Sequence, residues 1–484
     1  MSSLSYSFVK QSGVLLKQEA QVWTVVHKQG AKVQAISEAF RVAPIPPSLL
    51  CLSDSEFDEA VVRFYQQEGG QSLAMAQGIG DDMDLASVAE ALPESEDLLE
   101  REGDAPIIRL INAIMSEAVK EEASDVHIET FERRLVVRFR VDGILREVIE
   151  PRRALAPMLV SRIKVMAKLD IAEKRVPQDG RIVLRISGQE VDVRVSTLPS
   201  SHGERIVMRL LNKQAGRLDL THLGMNDGDR DRLRDVISHP HGILLVTGPT
   251  GSGKTTSLYA SLGYLNNGRR NIMTVEDPVE YHLEGIGQTQ VNSKADMTFA
   301  RGLRAILRQD PDVVMIGEIR DKETAEIAVQ ASLTGHLVLS TLHTNSAVGA
   351  ITRLEDMGVE PFLLSSSIVG VLSQRLVRKL CDECKQPMQA DEASQALLEV
   401  DSPVTIYSAK GCSACFDQGY RGRVGLYELI LIDEDVKTLI HNQVGEQAME
   451  QHVRKNTPSL RQDGMSKVLA GSTTIEEVLR VSHG

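Results

Sequence analysis

The sequence predicts a multidomain α/β protein whose largest part is a doubly wound, mostly parallel sheet, preceded by an α+β domain and a smaller N-terminal one. Three observations carry this expectation. Short apolar runs at 243–246, 272–275, 313–316 and 337–340 have the length and β-branched content of buried strands. Helical stretches at 256–265, 299–307 and 324–333 alternate with them, the pattern of right-handed βαβ units with ligands outside the strand C-termini. The first strand also runs straight into Gly248-Pro249-Thr250-Gly251-Ser252-Gly253-Lys254-Thr255, a complete G-x-x-x-x-G-K-[ST] loop ahead of a helix opening at Thr256.

With 484 residues the chain has room for about three domains. Residues 1–90 mix short apolar runs at 22–26 and 49–52 with a helical stretch at 56–65, and read as a small α/β or mostly helical domain. Residues 91–104 are acidic and self-repelling, as an extended linker would be. From 105 to 212, helical spacing at 107–119 and 154–167 is interleaved with period-two alternation at 135–141, 181–185 and 191–195. Asp142-Gly143 reads as a turn and Asp179-Gly180 as a break between elements. This α+β domain holds 14 arginines between Arg133 and Arg209. A loop-rich connector, 213–229, leads to the sheet domain at 230–484, which closes with a helix behind a capping box, Thr473-Thr474-Ile475-Glu476.

The net charge of −13 is local. Residues 54–104 carry 15 acidic side chains against two arginines, so the rest of the chain is neutral. No domain is basic, which removes the simplest argument for general nucleic-acid affinity. No run of about 18 apolar residues occurs, and the first ten residues lack a basic stretch followed by an apolar one. Neither a spanning segment nor an export signal is expected.

The glycine loop is an anion trap. Its backbone N–H groups can converge on phosphate oxygens, and the helix N-terminus behind it adds partial positive charge. Lys254 is expected to reach the β- and γ-phosphates of a nucleoside triphosphate, and the Thr255 hydroxyl to hold Mg²⁺. Two strand ends carry acid. Glu276, Asp277 and Glu280 follow one, and are expected to orient Mg²⁺ and its waters. Glu318 follows another, just past Gly317, which stands where a Walker B strand usually has its metal-binding aspartate; Glu318 is the expected activator of the attacking water. His336 and His343 bracket the strand at 337–340 and are expected at the γ-phosphate. Arginine suits the charge that develops in phosphoryl transfer. The α+β domain offers Arg140, Arg194 and Arg209, of which the last two are assigned to catalysis, and the sheet domain offers Arg304, Arg308 and Arg320.

Four of the five cysteines form two Cys-x-x-Cys pairs, Cys381/Cys384 and Cys412/Cys415, with 27 residues between them. The spacing is compatible with a tetrahedral Zn²⁺ site inside a looped-out insertion at 381–415, with an iron–sulfur cluster as the alternative. Four thiolates leave no open coordination position, so the expected role is structural. Cys51 has no such companion.

Together these segments resemble the secretion ATPase superfamily, and within it the type II secretion ATPases. Four signatures align in order: Walker A at 248–256, an aspartate box at 274–280, a Walker B-like segment at 310–318 with its Gly317, and a histidine box at 335–344. The stretches 175–181, 200–205 and 287–292 and the cysteine insertion are similar too, so the likeness covers about 105–484, with Ser5-Tyr6-Ser7-Phe8 as a further family-like patch. The resemblance implies a RecA-like P-loop NTPase domain with a zinc-binding insertion, and ATP bound between that domain and the arginine-rich one. It implies a homohexameric cytoplasmic motor, peripheral at the inner membrane of a Gram-negative bacterium, that drives pseudopilus assembly and export of folded proteins across the outer membrane. Residues 1–90 would then dock on the cytoplasmic domain of an inner-membrane type II secretion protein (GspL-like), with other platform components and an acidic phospholipid surface as further partners. A type IV pilus assembly ATPase is the nearest alternative. A nucleic-acid translocase is the alternative of another class, disfavoured by the neutral charge balance and by an aromatic content of 4%.

Overall fold

In the computed structural model, which describes residues 12–19, 22–43, 45–53, 56–57, 105–186, 189–211 and 219–482, the N-terminal residues build a three-stranded sheet. β1 (Val14–Glu19) and β2 (Val22–Lys28) pair antiparallel, α1 (Val33–Val42) crosses over, and β3 (Ser48–Leu52) returns parallel to β2. β-Branched and leucine side chains suit such a pleated, half-buried surface. Leu15, Leu16, Val25 and Val26 are buried with Ala39 of α1 and with Phe57. The unit is therefore α/β. Of the helical stretch expected at 56–65 only 56–57 is described, and the acidic linker at 91–104 lies outside the described residues.

The second domain is a six-stranded antiparallel sheet backed by two helices. In chain order these are α2 (Ala105–Lys120), β4 (Asp125–Thr130), β5 (Leu135–Val141), β6 (Ile144–Ile149), α3 (Ala156–Met166), β7 (Gln178–Ile186), β8 (Gln189–Ser200) and β9 (Gly203–Leu211). The strands lie in the order β6-β5-β4-β9-β8-β7. Period two decides the faces. Val126, Ile128, Val137, Phe139, Val193, Val195, Ile206 and Met208 join the core under α2 and α3. The opposite face carries Asp125, His127, Glu129, Arg138, Arg140, Arg194, Arg205 and Arg209, with Arg194, Arg209, Asp125 and Arg140 paired strand to strand in one row. Asp142 and Gly143, at φ +49° and +85°, make the two-residue turn between β5 and β6. The expected break at Asp179-Gly180 is a continuous strand instead: a Cβ at 180 would stand 2.6 Å from the Ala167 carbonyl oxygen, so the glycine lets β7 pass close to the end of α3.

Residues 213–218 of the connector lie outside the described residues, and its far end is already helical. α4 (Asp227–Ser238) starts behind Asn226, whose side chain accepts from the Asp229 N–H. The sheet domain then runs β10 (Gly242–Thr247), α5 (Lys254–Leu265), β11 (Ile272–Glu276), β12 (Gly287–Gln290), α6 (Phe299–Ile306), β13 (Val313–Ile316), α7 (Lys322–Leu333), β14 (Leu337–Leu342), α8 (Val348–Asp356), α9 (Pro361–Ser367) and β15 (Ile368–Leu380). An insertion of β16 (Gln386–Gln389), α10 (Glu392–Leu398) and β17 (Thr405–Ser408) precedes β18 (Tyr420–Leu431) and the C-terminal helices α11 (Glu434–His441), α12 (Glu446–Val453), α13 (Leu460–Leu469) and α14 (Ile475–Ser482). Strand order is β12-β11-β13-β14-β10-β15-β18, parallel up to β15, with β18 antiparallel to it. After β10 the chain moves to one side of it, returns through β13 and β14, and then adds β15 on the other side. The loop after β10 therefore opens at a topological switch point.

At the end of the chain the helix start is one residue later than the capping box predicts. α14 begins at Ile475 with the Thr474 hydroxyl 3.5 Å from the Glu477 N–H, while Thr473 Oγ1 donates to the Arg378 carbonyl at 2.8 Å. Glu477, rather than Glu476, is the buried carboxylate, held by Arg378 and Arg480. Among the described residues no helix is long and apolar enough to cross a membrane.

Candidate active site

The phosphate loop is built by glycines in conformations that other residues avoid. Gly251 and Gly253 sit at φ +80° and +88°, and a Cβ on Gly248 would meet the Gln374 carbonyl oxygen at 2.5 Å. Pro249, Thr250 and Gly251 face solvent, Thr255 is exposed and Thr256 half-buried on the first turn of α5. Ser252 is buried, and among the described residues its hydroxyl has no hydrogen-bond partner. Lys254 folds back into the loop, where its Nζ donates to the carbonyls of Gly248 at 2.8 Å and Pro249 at 3.0 Å. Burial pulls the Lys254 pKa down to about 8, Glu318 opposes that shift and the Arg375 charge adds to it.

Beside the loop, at the C-terminal edge of the sheet, lies a charged cluster. Glu318 follows β13, and its carboxylate is paired with Arg320 and lies 3.5 Å from Nε2 of His343, which follows β14. The His343 pKa is lowered, first by burial, then by the Lys254 charge, so the ring is neutral near pH 7. Thr341 Oγ1 donates to the Gly317 carbonyl at 2.8 Å, and Ser340 Oγ to that of Ile316 at 2.9 Å, which pins the two strand ends together.

The three acids of the 274–280 box have separate fates. Glu276 is buried and accepts from Tyr259, from Thr274 at 2.5 Å and from Gln288 at 3.1 Å. Its lone pairs are committed to holding β11, β12 and α5 together. Asp277 is exposed. Glu280 pairs at 3.2 Å with Nη1 of Arg194, whose Nη2 donates to the Val279 carbonyl at 2.9 Å. An arginine of the second domain thus sits on the acid box of the third. Its row neighbours are held within their own sheet: Arg209 Nε donates to Asp125 at 2.8 Å, and Arg140 lies 3.7 Å from the same carboxylate.

The four cysteines close a cage at the base of the insertion between β15 and β18. Sγ···Sγ separations are 3.9 Å (Cys381–Cys412), 3.8 Å (Cys384–Cys415) and 3.7 Å (Cys412–Cys415), and all four sulfurs lie within 4.8 Å of one another. A tetrahedron with Zn–S of about 2.3 Å has edges of about 3.8 Å, so the donor set fits the metal. Backbone N–H groups of Cys412 and Gly419 reach Cys415 Sγ, both at 3.2 Å. The cage abuts the second domain: Gly422 N donates to Asp142 at 2.8 Å, and the Arg146 guanidinium lies 5.8 Å from the centre of the Phe416 ring.

Residues 100–480 match the family model described as type II/IV secretion system protein, and residues 3–65 match that of an N-terminal domain of GSPII protein E. The chain belongs to the type II/IV secretion system protein family. Within it, it is a type II secretion ATPase. A Pseudomonas aeruginosa relative named type II secretion system protein E is 64% identical over 483 residues, 99% of this chain and 96% of that one. The type II secretion system ATPase E of Vibrio cholerae is 58% identical over 484 residues, again 99% of this chain and 96% of that one. Among solved structures, the pilus retraction motor PilT with bound ADP superposes with a TM-score of 0.52 at 25% identity, covering 77% of this chain and 97% of that one.

In this secretion ATPase three of the residues expected at the nucleotide stand elsewhere within the chain. His336 lies at the opposite end of β14, about 23 Å from His343 at 3.3 Å per residue, where its Nδ1 meets the Ala331 carbonyl at 2.9 Å and closes the end of α7. Arg304 is paired with Glu323 at 2.7 Å on the outer surface, and Arg308 donates to the Arg304 carbonyl at 2.8 Å. Both are exposed. Conversely, Arg375 of β15 lies against the phosphate loop and was not anticipated. Its signal was weak: the polar stretch Ser373-Gln374-Arg375 interrupts the apolar run that opens the strand at 368, and its partner β18 lies beyond the insertion.

Proposed function

We propose that this secretion ATPase is a hexameric cytoplasmic motor, peripheral at the inner membrane, which hydrolyses ATP to drive pseudopilus assembly and export of folded proteins. The observation that carries this reading is Arg194, seated on Val279 and Glu280 across the domain boundary. A phosphate site at a domain junction can convert a change of phosphate charge into relative motion of the two bodies. The relative crystallised with ADP supports the nucleotide assignment.

In this reading the loop N–H groups and Lys254 bind the β- and γ-phosphates, and Thr255 holds Mg²⁺, which when bound screens phosphate charge. Glu318, paired with Arg320, accepts a proton from the attacking water, and neutral His343 orients the γ-phosphate edge. Arg194 and Arg209 stabilise charge on the transferring group. The cysteine cage holds Zn²⁺ as a structural staple. The exposed Leu49 and Leu50 on edge strand β3, 54% and 43% accessible, offer an apolar side chain on each face of that edge to a membrane-protein partner. Glu318→Gln tests the mechanism: ATP binding should persist while turnover falls by at least about 100-fold, and secretion should stop in cells. Turnover near wild type would refute the assignment.

A further inference from the structure

Arg375 is a buried cation that the mechanism above leaves unused. It is 7% exposed, on β15, whose Ser373 is in register with Thr247 just ahead of the phosphate loop. A Cβ on Gly248 would stand 3.2 Å from its Nη1, so the guanidinium backs directly onto the loop. Its two hydrogen bonds go to neutral carbonyls, Gln374 at 3.2 Å and Asn345 at 2.9 Å. Among the described residues no carboxylate comes within ion-pair distance of it; Glu428 on β18 is the nearest acid to influence it and is itself engaged by Arg454. A second cation, Lys254, lies close enough for the Arg375 charge to act on it.

Two neighbouring cations drawn out of water with no carboxylate in ion-pair contact are costly. Such an arrangement is stable in function when an anion arrives between or beside them. The second link is geometric. Asn345 belongs to the loop leaving β14, two residues beyond His343, whose ring faces Glu318. One planar side chain therefore touches the phosphate loop on one edge and the histidine loop on the other.

We propose that Arg375 is a positioning residue of the ATPase reaction: its charge is compensated by the nucleotide phosphates, and its bond to the Asn345 carbonyl sets His343 against Glu318 when the phosphate loop is filled. This rests on the phosphate loop being the ATP site. Lys254→Ala separates the two claims: if that variant binds ATP normally, the site assignment itself fails.

The test compares Arg375→Lys, Arg375→Gln and wild type, measuring ATP and ADP affinity with a fluorescent nucleotide, kcat and KM separately, and amide exchange at 343–348. Arg375→Gln should weaken ATP binding about tenfold or more, and ADP binding less, because the triphosphate carries more charge. Arg375→Lys should restore affinity to within about threefold, yet leave kcat depressed, since an ammonium cannot span two carbonyls as the guanidinium fork does. In wild type, ATP should slow exchange across 343–348, and in Arg375→Lys it should not. If both variants bind ATP like wild type and differ from it only in thermal stability, Arg375 is a structural residue and the proposal is wrong. Equal exchange protection in wild type and Arg375→Lys would refute the coupling to His343 even if affinity falls.

Discussion

Replacing Arg194 by alanine distinguishes a domain clamp from a catalytic arginine, because the structure bounds what the clamp alone can supply. The side chain makes one bond to a backbone carbonyl, Val279 at 2.9 Å, and one ion pair, Glu280 at 3.2 Å. A charged donor to a carbonyl contributes about 1.5–3 kcal/mol. The ion pair is partly exposed, 24% on the arginine and 34% on the glutamate, and screening reduces it to about 0.5–1 kcal/mol. With the carbonyl bond near the low end of its range at such exposure, the clamp sums to about 2–3 kcal/mol, roughly a 30- to 150-fold shift in any equilibrium that opens the junction. An arginine that stabilises the transferring phosphoryl group contributes about 10³–10⁵ in kcat. The assay is steady-state ATPase with ATP affinity measured separately, on Arg194→Ala, Glu280→Ala and the double variant. The expected result is a kcat loss above about 10³ for Arg194→Ala, a few-fold loss for Glu280→Ala, and a coupling below about 1 kcal/mol. If Glu280→Ala costs as much as Arg194→Ala, or if Arg194→Ala lowers kcat by no more than the roughly 150-fold that the clamp alone can supply, the catalytic reading of this residue is refuted.

Lys254, with its pKa drawn down from 10.5 to about 8, makes two pH predictions of opposite sign. Because the fold disfavours its protonated form, this lysine costs stability below about 8, and stability rises with pH between there and its ordinary value. Phosphate favours the protonated form, so ATP binding takes up a proton near pH 8.5 and affinity falls by up to about tenfold per pH unit above 8. Calorimetry in two buffers of different ionisation enthalpy reads this directly, and a buffer-independent heat would refute it. The cage of Cys381, Cys384, Cys412 and Cys415 should carry one zinc per chain by atomic emission, and Cys384→Ser should abolish it while leaving ATP affinity within about twofold; iron in place of zinc would overturn the metal. Glu477→Ala should destabilise by about 3 kcal/mol, since it strands Arg378 and Arg480 against a buried acid position, and a loss under about 1 kcal/mol by denaturant titration would refute that.

The sheet domain was legible where local pattern and topology coincide. β13 spans Val313–Ile316, the residues of the apolar run itself, because a buried parallel strand is a short unbroken stretch flanked by polar turns. His336 and His343 show the limit of that reading. Both do bracket one strand, but a parallel sheet binds ligands at one edge, so only the histidine at the C-terminal end of β14 meets Glu318. β4 was missed because Asp125, His127 and Glu129 alternate with Val126 and Ile128 in a stretch that reads as polar until its neighbours supply the arginines. The β15–β18 hairpin was invisible for another reason: its strands pair across the cysteine insertion, so no local window contains both halves, and Arg375 was lost with it.

The arginine count alone also misjudges the second domain. On its open face Asp125 is shared by Arg140 and Arg209, and Glu129 by Arg138 and Arg205, with His127 packed between. Each buried carboxylate orients two guanidinium groups yet cancels only one, so positive charge is left over while every fork is held in place. His127 adds no further charge, since burial and the adjacent arginines lower its pKa. A surplus of fixed, pre-oriented cations is what a polyphosphate needs, because the protein then pays no reorganisation as charge develops. Arg194 differs from the others on this face in one respect: its carboxylate, Glu280, belongs to the nucleotide domain. Whatever weakens that pair frees an arginine already positioned at the domain boundary beside the acid box. The acid box and the arginine face thus meet in a single electrostatic joint, and under the proposed mechanism the phosphates of ATP would compete with Glu280 for Arg194.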